Sequence, residues 1–192
     1  MHVLLPVQYE LSKYTDGASD NASGVATVLA IAEELKNFNF LNSEIIFLLT
    51  GAEEAHMLGM RFFMEKYKNL FDKRNSYFIS IDTVGNPELK YCVSEGFMIR
   101  QRYPDKLVKI AEKITQKEKF KNIKSTHIIS HTDALISAIL GYNSINLIGL
   151  SENNLPLNYH RSSDVPENVD SNVQEQAKDF VIEIIKEIEK GE

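Results

Sequence analysis

Short apolar runs alternate along this chain with longer segments in which apolar residues recur at helical spacing. Residues 45–49 and 78–81 are the clearest runs of the first kind, and residues 25–35 and 107–114 are typical of the second. Because parallel strands are joined by crossovers that are usually helices, this alternation predicts an α/β fold with a largely parallel sheet. The 192 residues are 43% hydrophobic, which is enough for one core, so we expect residues 1–192 to form one domain.

The positions of the predicted strands and helices follow from these two patterns. Pro6 lies in the first predicted strand and has no N–H for the ladder, so we expect that strand at a sheet edge or a bulge. Residues 151–168 are polar and include Pro156 and Pro166, which is typical of a functional loop. The predicted strands cover residues 3–10, 44–50, 76–82, 89–93, 126–130 and 145–150, and the predicted helices cover residues 21–35, 57–67, 105–117, 133–140 and a C-terminal segment around 180–188.

The composition disfavours several classes of protein. The net charge of −6 argues against nucleic-acid binding, which needs clustered lysines and arginines. No apolar stretch approaches the roughly 20 residues that span a bilayer, so we expect no membrane insertion. The first residues lack a basic region and a small-residue cleavage site, which predicts a cytoplasmic protein, or a secreted one if the natural N-terminus is missing. Cys92 is the only cysteine, which fits a reducing compartment.

Acidic residues follow the predicted strands. Glu53 and Glu54 come directly after the apolar run at 45–49, Asp82 ends the run at 78–81, and Asp20 opens the first predicted helix. Adjacent carboxylates at the end of a buried strand are costly unless a cation neutralises them. Since the carboxyl ends of parallel strands meet at one edge of the sheet, we expect these residues to converge there.

A late histidine completes this set. His160 lies in the polar loop that follows the strand predicted at 145–150. Carboxylates joined by one imidazole suit zinc, and a carboxylate shared between two ions is the usual arrangement in two-metal hydrolases. The sequence therefore predicts one hydrolytic metal centre.

Each of these residues also has an ordinary structural explanation. Asp20 alone is typical of a helix N-cap, and the glutamate pair alone is typical of a solvated first helical turn. Asp82 alone fits a turn, and His160 alone fits an exposed loop. Their joint occurrence at predicted strand ends favours the metal centre.

The ordered motifs resemble a known family. The sequence is similar to the zinc aminopeptidases typified by bacterial leucyl aminopeptidase, peptidase family M28, from residue 3 to residue 170. The resemblance implies a three-layer zinc-exopeptidase-like fold, with a central mostly parallel mixed sheet flanked by helices and with the N-terminal part shortened. The motifs that carry it are residues 17–25, Gly51-Ala52-Glu53-Glu54, Asp82, Tyr159-His160, Ser163-Asp164 and residues 166–170.

The resemblance also implies roles for individual residues. Asp20 would bridge two zinc ions, Glu54 and His160 would complete one metal position, and Asp82 would serve the other. Glu53 would be the general base that takes a proton from water. These implied roles agree with general chemistry, because zinc lowers the pKa of bound water to about 7 and a nearby carboxylate can then accept its proton.

One departure from the family pattern affects the second metal position. The family has a His-x-Asp motif after the first strand, and residues 8–10 of this chain occupy that place, with Gln8 instead of the histidine. A neutral amide is a poor zinc ligand, so we expect this position to be weak or empty. Asp20, Glu54 and His160 still form a complete single-zinc set, which is similar to glutaminyl cyclases. Those relatives favour tryptophans around the substrate, and this chain has none.

Three functions therefore compete. The first is a zinc aminopeptidase acting on peptide substrates. The second is a catalytically impaired relative that serves as a binding or assembly module, which Gln8 and the missing N-terminal elements favour. The third is a single-zinc cyclase. Asp133 falls near the substrate pocket of the family, where it would orient a ligand group or His160, or simply cap a helix. An exposed sheet edge at the first strand predicts a homo-oligomer.

Overall fold

A computed structural model describes residues 1–8 and 15–191 and gives a seven-stranded sheet between two layers of helices. The strands are β1 (His2–Gln8), β2 (Glu44–Thr50), β3 (Ser76–Asp82), β4 (Glu88–Glu95), β5 (Gln101–Arg102), β6 (Lys124–Ile128) and β7 (Asn143–Leu150). The helices are α1 (Ser23–Leu35), α2 (Leu58–Tyr67), α3 (Asp105–Thr115), α4 (Asp133–Ile139) and α5 (Ser171–Glu189).

The sheet is mixed and mostly parallel. Its order is β2-β1-β3-β7-β4-β5, and β6 also pairs with β4. The β1–β2, β1–β3, β3–β7 and β4–β6 pairs are parallel, whereas β4 is antiparallel to β5 and β7. The carboxyl ends of β1, β2, β3 and β7 therefore lie at the same edge of the sheet, as the sequence predicts.

The alternation of side chains along the strands builds three layers. Leu5 of β1 and Ile79 of β3 are fully buried against the layer that contains α1, α3 and α5, whereas Leu4 and Phe78 face the layer that contains α2 and α4. Because both faces of these central strands are covered, their sequences are continuous apolar runs. The predicted α/β fold with a mostly parallel mixed sheet is confirmed.

The first strand is not at an edge, which corrects the expectation from Pro6. β1 pairs with β2 along its whole length, from His2 with Glu44 to Gln8 with Thr50, and with β3 only as far as Leu4. Pro6 lies two residues beyond Leu4, the last residue of β1 that pairs with β3, so its missing N–H interrupts no pairing with that strand. Among the described residues, β2 is the edge strand at this end of the sheet, because it pairs only with β1.

Element boundaries differ at several places. β2 and β3 begin and end as predicted, and α2 begins at Leu58 because Met57 has a left-handed φ of 57°. The predicted strand at 126–130 is displaced to Lys124–Ile128, and the two-residue strand β5 was not predicted. No helix among residues 1–8 and 15–191 is long and apolar enough to cross a membrane.

Candidate metal centre

Asp20 lies in a tight turn that precedes α1. The turn covers Ala18–Ala22, and the peptide bond after Asp20 is cis. The backbone N–H groups of Ser19 and Asp20 donate to the two carboxylate oxygens of Asp164, at 2.6 Å and 3.1 Å. The N-cap residue of α1 is Ala22, so the expectation that Asp20 is an ordinary N-cap of this helix is wrong. The side chain of Asp20 is 6% exposed and faces His160.

Glu53 and Glu54 lie at the tip of a compact turn that follows β2. Met57 N donates to Glu53 O at 2.6 Å, and Gly59 N donates to Gly51 O at 3.0 Å. A Cβ atom on Gly59 would lie 2.3 Å from Gly51 O, so only glycine fits this close approach of the two backbones. The turn gives the two glutamates different surroundings, because Glu53 is half-buried and Glu54 is exposed.

Asp82 is the last residue of β3, and Asn21 ties that strand end to the turn of Asp20. The Asn21 amide donates to Ile81 O at 3.0 Å, and its oxygen accepts from Thr83 N at 2.9 Å. The Thr83 hydroxyl donates to Asp82 Oδ1 at 2.9 Å. A single buried amide side chain therefore holds the two acidic segments side by side.

His160 reaches the same edge from the loop after β7. Its backbone has a left-handed φ of 55°. Its Nε2 atom lies 2.7 Å from Glu54 Oε1 and 3.3 Å from Asp20 Oδ2, and its ring stacks on Tyr159 with centroids 3.7 Å apart. The imidazole therefore presents one nitrogen to two carboxylates.

The donor atoms of Asp20, Glu54 and His160 all lie within 4.8 Å of one another. Nitrogen and oxygen ligands at about 2.0–2.2 Å from a tetrahedral zinc ion are about 3.4 Å apart. The separation of 3.3 Å between His160 and Asp20 matches this value, and the 2.7 Å between His160 and Glu54 is a hydrogen-bond distance that would lengthen around an ion. Within the described part of the chain, these three residues form the group that could hold one ion, and Asp82 is not a member. The donor set therefore fits a single zinc ion.

The electrostatics of the cluster agree with a cation site. Burial, and then the charges of Asp82 and Glu54, raise the pKa of Glu53 from 4.5 to about 9. Burial and then the charge of Asp20 raise the pKa of Asp82 well above its usual range. A nearby divalent cation favours ionised carboxylates and acts in the opposite direction. The ionised forms of these carboxyl groups repel one another, and a bound cation would remove that repulsion.

A pocket opens beside these acids. It has a volume of about 200 Å³, and Asp20, Glu53 and Asp82 are among the residues that line it. Residues 128–132 and residues 154–156 and 159 of the loop after β7 also line it. The apolar side chains that line the pocket are Ile128, Ile129, Ile148, Leu150, Leu155 and Pro156.

Comparison with known proteins decides the ancestry of this site. The model of peptidase family M28 matches residues 6–185. The chain belongs to peptidase family M28. The match includes all five residues proposed for the site, Asp20, Glu53, Glu54, Asp82 and His160.

Named relatives of the M28 chain are aminopeptidases. It is 31% identical over 83 residues to aminopeptidase YwaD of Bacillus subtilis (strain 168), a match that covers 43% of this chain and 18% of that protein. The structure of BSAP, a zinc aminopeptidase from Bacillus subtilis, matches with a TM-score of 0.79 and 23% identity, over 97% of this chain and 45% of that one. The M28 chain therefore spans less than half of BSAP.

A glutaminyl cyclase has the same fold. The Acidobacteriales bacterium enzyme matches with a TM-score of 0.79 and 16% identity, over 98% of this chain and 69% of that one. At such identities these two structural likenesses show the fold alone. They agree with the three-layer architecture that the family resemblance implies.

The convergence of Asp20, Glu54 and His160 agrees with the sequence prediction, while their roles as ligands stay predictions. Tyr9, Glu10 and the side chain of Gln8 lie outside the described residues, so the expected weakness of the second metal position also stays a prediction.

Asp133 has a contact that the sequence did not predict. Its carboxylate accepts from the Thr50 hydroxyl at 2.5 Å, at the end of β2.

The sequence analysis missed two buried carboxylates near the site. Asp164 is visible in the sequence only as part of the Ser163-Asp164 motif, and in the structure it binds the backbone of the Asp20 turn. Glu95 has no functional signal in the sequence, and it accepts from Thr132 N at 2.8 Å in the wall of the pocket. Nothing in their local pattern marks them, beyond the Ser163-Asp164 motif itself.

Proposed function

We propose that this M28 chain binds zinc through Asp20, Glu54 and His160 and removes N-terminal residues from peptides. The observation that carries the proposal is the convergence of three donors from three separate segments within 4.8 Å. The names of the relatives support it, since YwaD is an aminopeptidase and BSAP a zinc aminopeptidase.

Glu53 is the proposed proton carrier. Bound zinc would lower the pKa of a water molecule and polarise the carbonyl group of the substrate. The Glu53 carboxylate adjoins the ligand Glu54 in sequence and lines the pocket. From that position it would accept a proton from the attacking water and deliver it to the leaving amine.

The pocket supports a substrate with an apolar N-terminal side chain. Its walls beside the acids are mostly aliphatic, and a volume of about 200 Å³ accommodates a side chain rather than a folded segment. The surplus of carboxylates around the pocket would attract the positively charged α-amino group of a peptide. Together these features favour an exopeptidase over an endopeptidase.

We propose that zinc binds tightly at one position. Asp20, Glu54 and His160 form a complete set for one ion, whereas Asp82 lies outside that set. Gln8 replaces the histidine that would accompany Asp82 in the family, and an amide oxygen is a weak zinc ligand. Elemental analysis after dialysis should give about one zinc per chain, and two tightly held ions would contradict this stoichiometry.

The proposed base is tested by Glu53→Gln. We expect turnover of leucyl arylamides to fall by about 10²- to 10⁴-fold, the usual contribution of a general base, while zinc content is unchanged. Glu65→Gln is the matched control, because Glu65 is an exposed glutamate of α2. Equal turnover in Glu53→Gln and the control would reject the role of Glu53.

The proposed ligand is tested by His160→Gln. We expect loss of zinc together with loss of turnover. His127→Gln is the control, because the His127 Nδ1 atom contacts the Ser94 hydroxyl at 2.6 Å rather than the acidic cluster. If the wild-type protein binds zinc but turns over no peptide, the binding-module function replaces the enzymatic one.

A single-zinc cyclase is the second candidate. The observation that favours it is the single complete ligand set, together with the likeness to the fold of a glutaminyl cyclase. The same zinc-loaded protein should be offered a peptide with N-terminal glutamine. Release of ammonia without peptide-bond cleavage would favour the cyclase, and cleavage of leucyl arylamides the aminopeptidase.

A further inference from the structure

Asp164 connects the two segments that carry Asp20 and His160. It is 2% exposed. Its Oδ1 atom accepts from Ser19 N at 2.6 Å, and its Oδ2 atom accepts from Asp20 N at 3.1 Å. Both carboxylate oxygens are thus used on consecutive N–H groups of the turn that presents Asp20.

The backbone of residue 164 also binds the segment that precedes Asp20. Its carbonyl oxygen accepts from Ala18 N and from the Thr15 hydroxyl, each at 3.4 Å. The Thr15 oxygen also accepts from Gly17 N at 3.2 Å. Residues 15–20 are therefore attached to residue 164 through both its side chain and its main chain.

Asp164 is also fixed within the loop of His160. Asp164 N donates to Arg161 O at 3.0 Å, and Arg161 N donates to Asn158 O at 3.0 Å. The Asn158 side chain accepts from the Ser163 hydroxyl at 2.8 Å. His160 lies within these successive turns, four residues before Asp164. The turns therefore fix the position of His160 relative to Asp164.

This arrangement matters for a metal site, because ligands on loops must be held at a fixed separation before an ion arrives. Hydrogen bonds from N–H groups to a carboxylate are about twice as strong as hydrogen bonds between neutral groups. Burial strengthens them further, because the dielectric constant inside a protein is lower than in water. Groups that orient metal ligands from behind typically change metal affinity by about 10- to 100-fold when they are replaced.

We propose that Asp164 is a positioning residue for the metal centre, which holds the turn of Asp20 against the loop of His160 so that both donors reach one ion. This inference rests on the proposed function, since it requires zinc at Asp20, Glu54 and His160. Asp164 itself is directed at backbone N–H groups and is not a ligand.

The test is the zinc affinity of Asp164→Asn, measured by titrating zinc chloride against a chromophoric chelator. The amide keeps the size of the side chain but turns an NH₂ group toward one of the two N–H donors, so one bond is lost. We expect the dissociation constant for zinc to rise by about 10- to 100-fold. Amide hydrogen exchange of Ser19 and Asp20 in the metal-free protein should become faster in the same variant.

Asp170→Asn is the matched control. Asp170 accepts from Asn172 N at 2.9 Å at the start of α5, close to Asp164 in sequence but without contact to the turn of Asp20. Since aspartate and asparagine are similar as N-caps, we expect zinc affinity and exchange at residues 19 and 20 to be unchanged.

A milder variant covers the case in which Asp164→Asn does not fold. Thr15→Val removes the hydroxyl that joins Gly17 to residue 164. Because its two hydrogen bonds are long and neutral, we expect a smaller rise in the zinc dissociation constant, of about 2- to 10-fold. An unchanged zinc affinity in the folded variants would overturn this proposal while leaving the proposed function intact. A wild-type protein that binds no zinc would overturn both.

Discussion

Glu95 offers a test of the electrostatics beneath the pocket. This glutamate is fully buried at the end of β4. Its Oε1 atom accepts from the Tyr103 hydroxyl at 2.7 Å, and its Oε2 atom accepts from Thr132 N at 2.8 Å. Cys92, on the same strand, and Asp133, beside Thr132, are further acidic groups near it. Neither carries a positive charge that would offset the burial of an ionised Glu95.

Burial raises the pKa of Glu95 from 4.5 to about 7, against the lowering effect of Tyr103 and Thr132. Between these two pH values the unfolded chain loses the proton and the folded protein keeps it. The free energy of unfolding therefore falls as pH rises from 4.5 to about 7, and the loss is complete above the folded pKa. At about 1.4 kcal/mol per pH unit, the total is about 3 kcal/mol.

Glu95→Gln removes this titration while keeping the shape of the side chain. We expect the wild-type free energy of unfolding, relative to that of the variant, to decrease by about 3 kcal/mol between about pH 4.5 and pH 8. Changed hydrogen bonds to Tyr103 and Thr132 add an offset that does not depend on pH. Glu53 and Asp82 titrate in both proteins, so the difference isolates Glu95.

Urea unfolding at several pH values, followed by far-UV circular dichroism, measures the effect. Glu65→Gln controls for the loss of an exposed carboxylate and should follow the wild-type curve. A difference between wild type and Glu95→Gln that stays constant across the range would refute the reasoning. It would mean that Glu95 is ionised in the folded protein, stabilised by its two donors.

Three further predictions concern the core, the surface and the metal. Phe180→Ala should lower the free energy of unfolding in urea by about 3–5 kcal/mol, because this fully buried ring packs on Phe120 with centroids 5.5 Å apart; a loss below 1 kcal/mol would contradict tight packing there. Glu187→Gln should cost about 1–2 kcal/mol near pH 7, since Lys113 and Lys190, which are half exposed and partly screened, lower the pKa of Glu187 to about 2. Because the pKa of Glu187 is lowered on folding, its stabilising effect is complete above the unfolded value of 4.5 and is lost as pH falls from there toward the folded value of about 2, so a difference that persists at pH 2 would argue against the ion pairs. A chelator should lower the melting temperature of the zinc-loaded protein but not that of His160→Gln, and equal shifts in both would place the stabilising ion elsewhere.

The sequence predicted the central elements because their signals are local. β2 and β3 are apolar runs with polar neighbours on both sides, so their ends are visible in the sequence. β6 begins at Lys124, an exposed residue with no apolar signal, and the predicted strand was therefore displaced by two residues. β5 has only two residues, and no periodicity can be read from so short a segment.

The site was predictable to the extent that it depends on strand ends. Glu54 follows β2, His160 lies in the loop after β7, and Asp20 precedes α1, which follows β1, and parallel strands bring such segments to one edge of the sheet. The supporting carboxylates were not predictable in this way. Asp164 and Glu95 act on backbone N–H groups, which every residue but proline carries, so no partner residue type marks the contact in the sequence.

The two edge strands of the sheet, β2 and β6, differ in how readily a further strand could pair with them. β6 borders one end of the sheet with Lys124 and His127 exposed, and charged or polar residues of this kind discourage further pairing. β2 borders the other end with seven residues, and its Leu49 is half exposed next to a run of partly covered aliphatic side chains. Among the described residues, β2 is therefore the border better suited to pairing with a further extended strand, which would add one row about 4.8 Å wide to the sheet and cover the exposed part of Leu49.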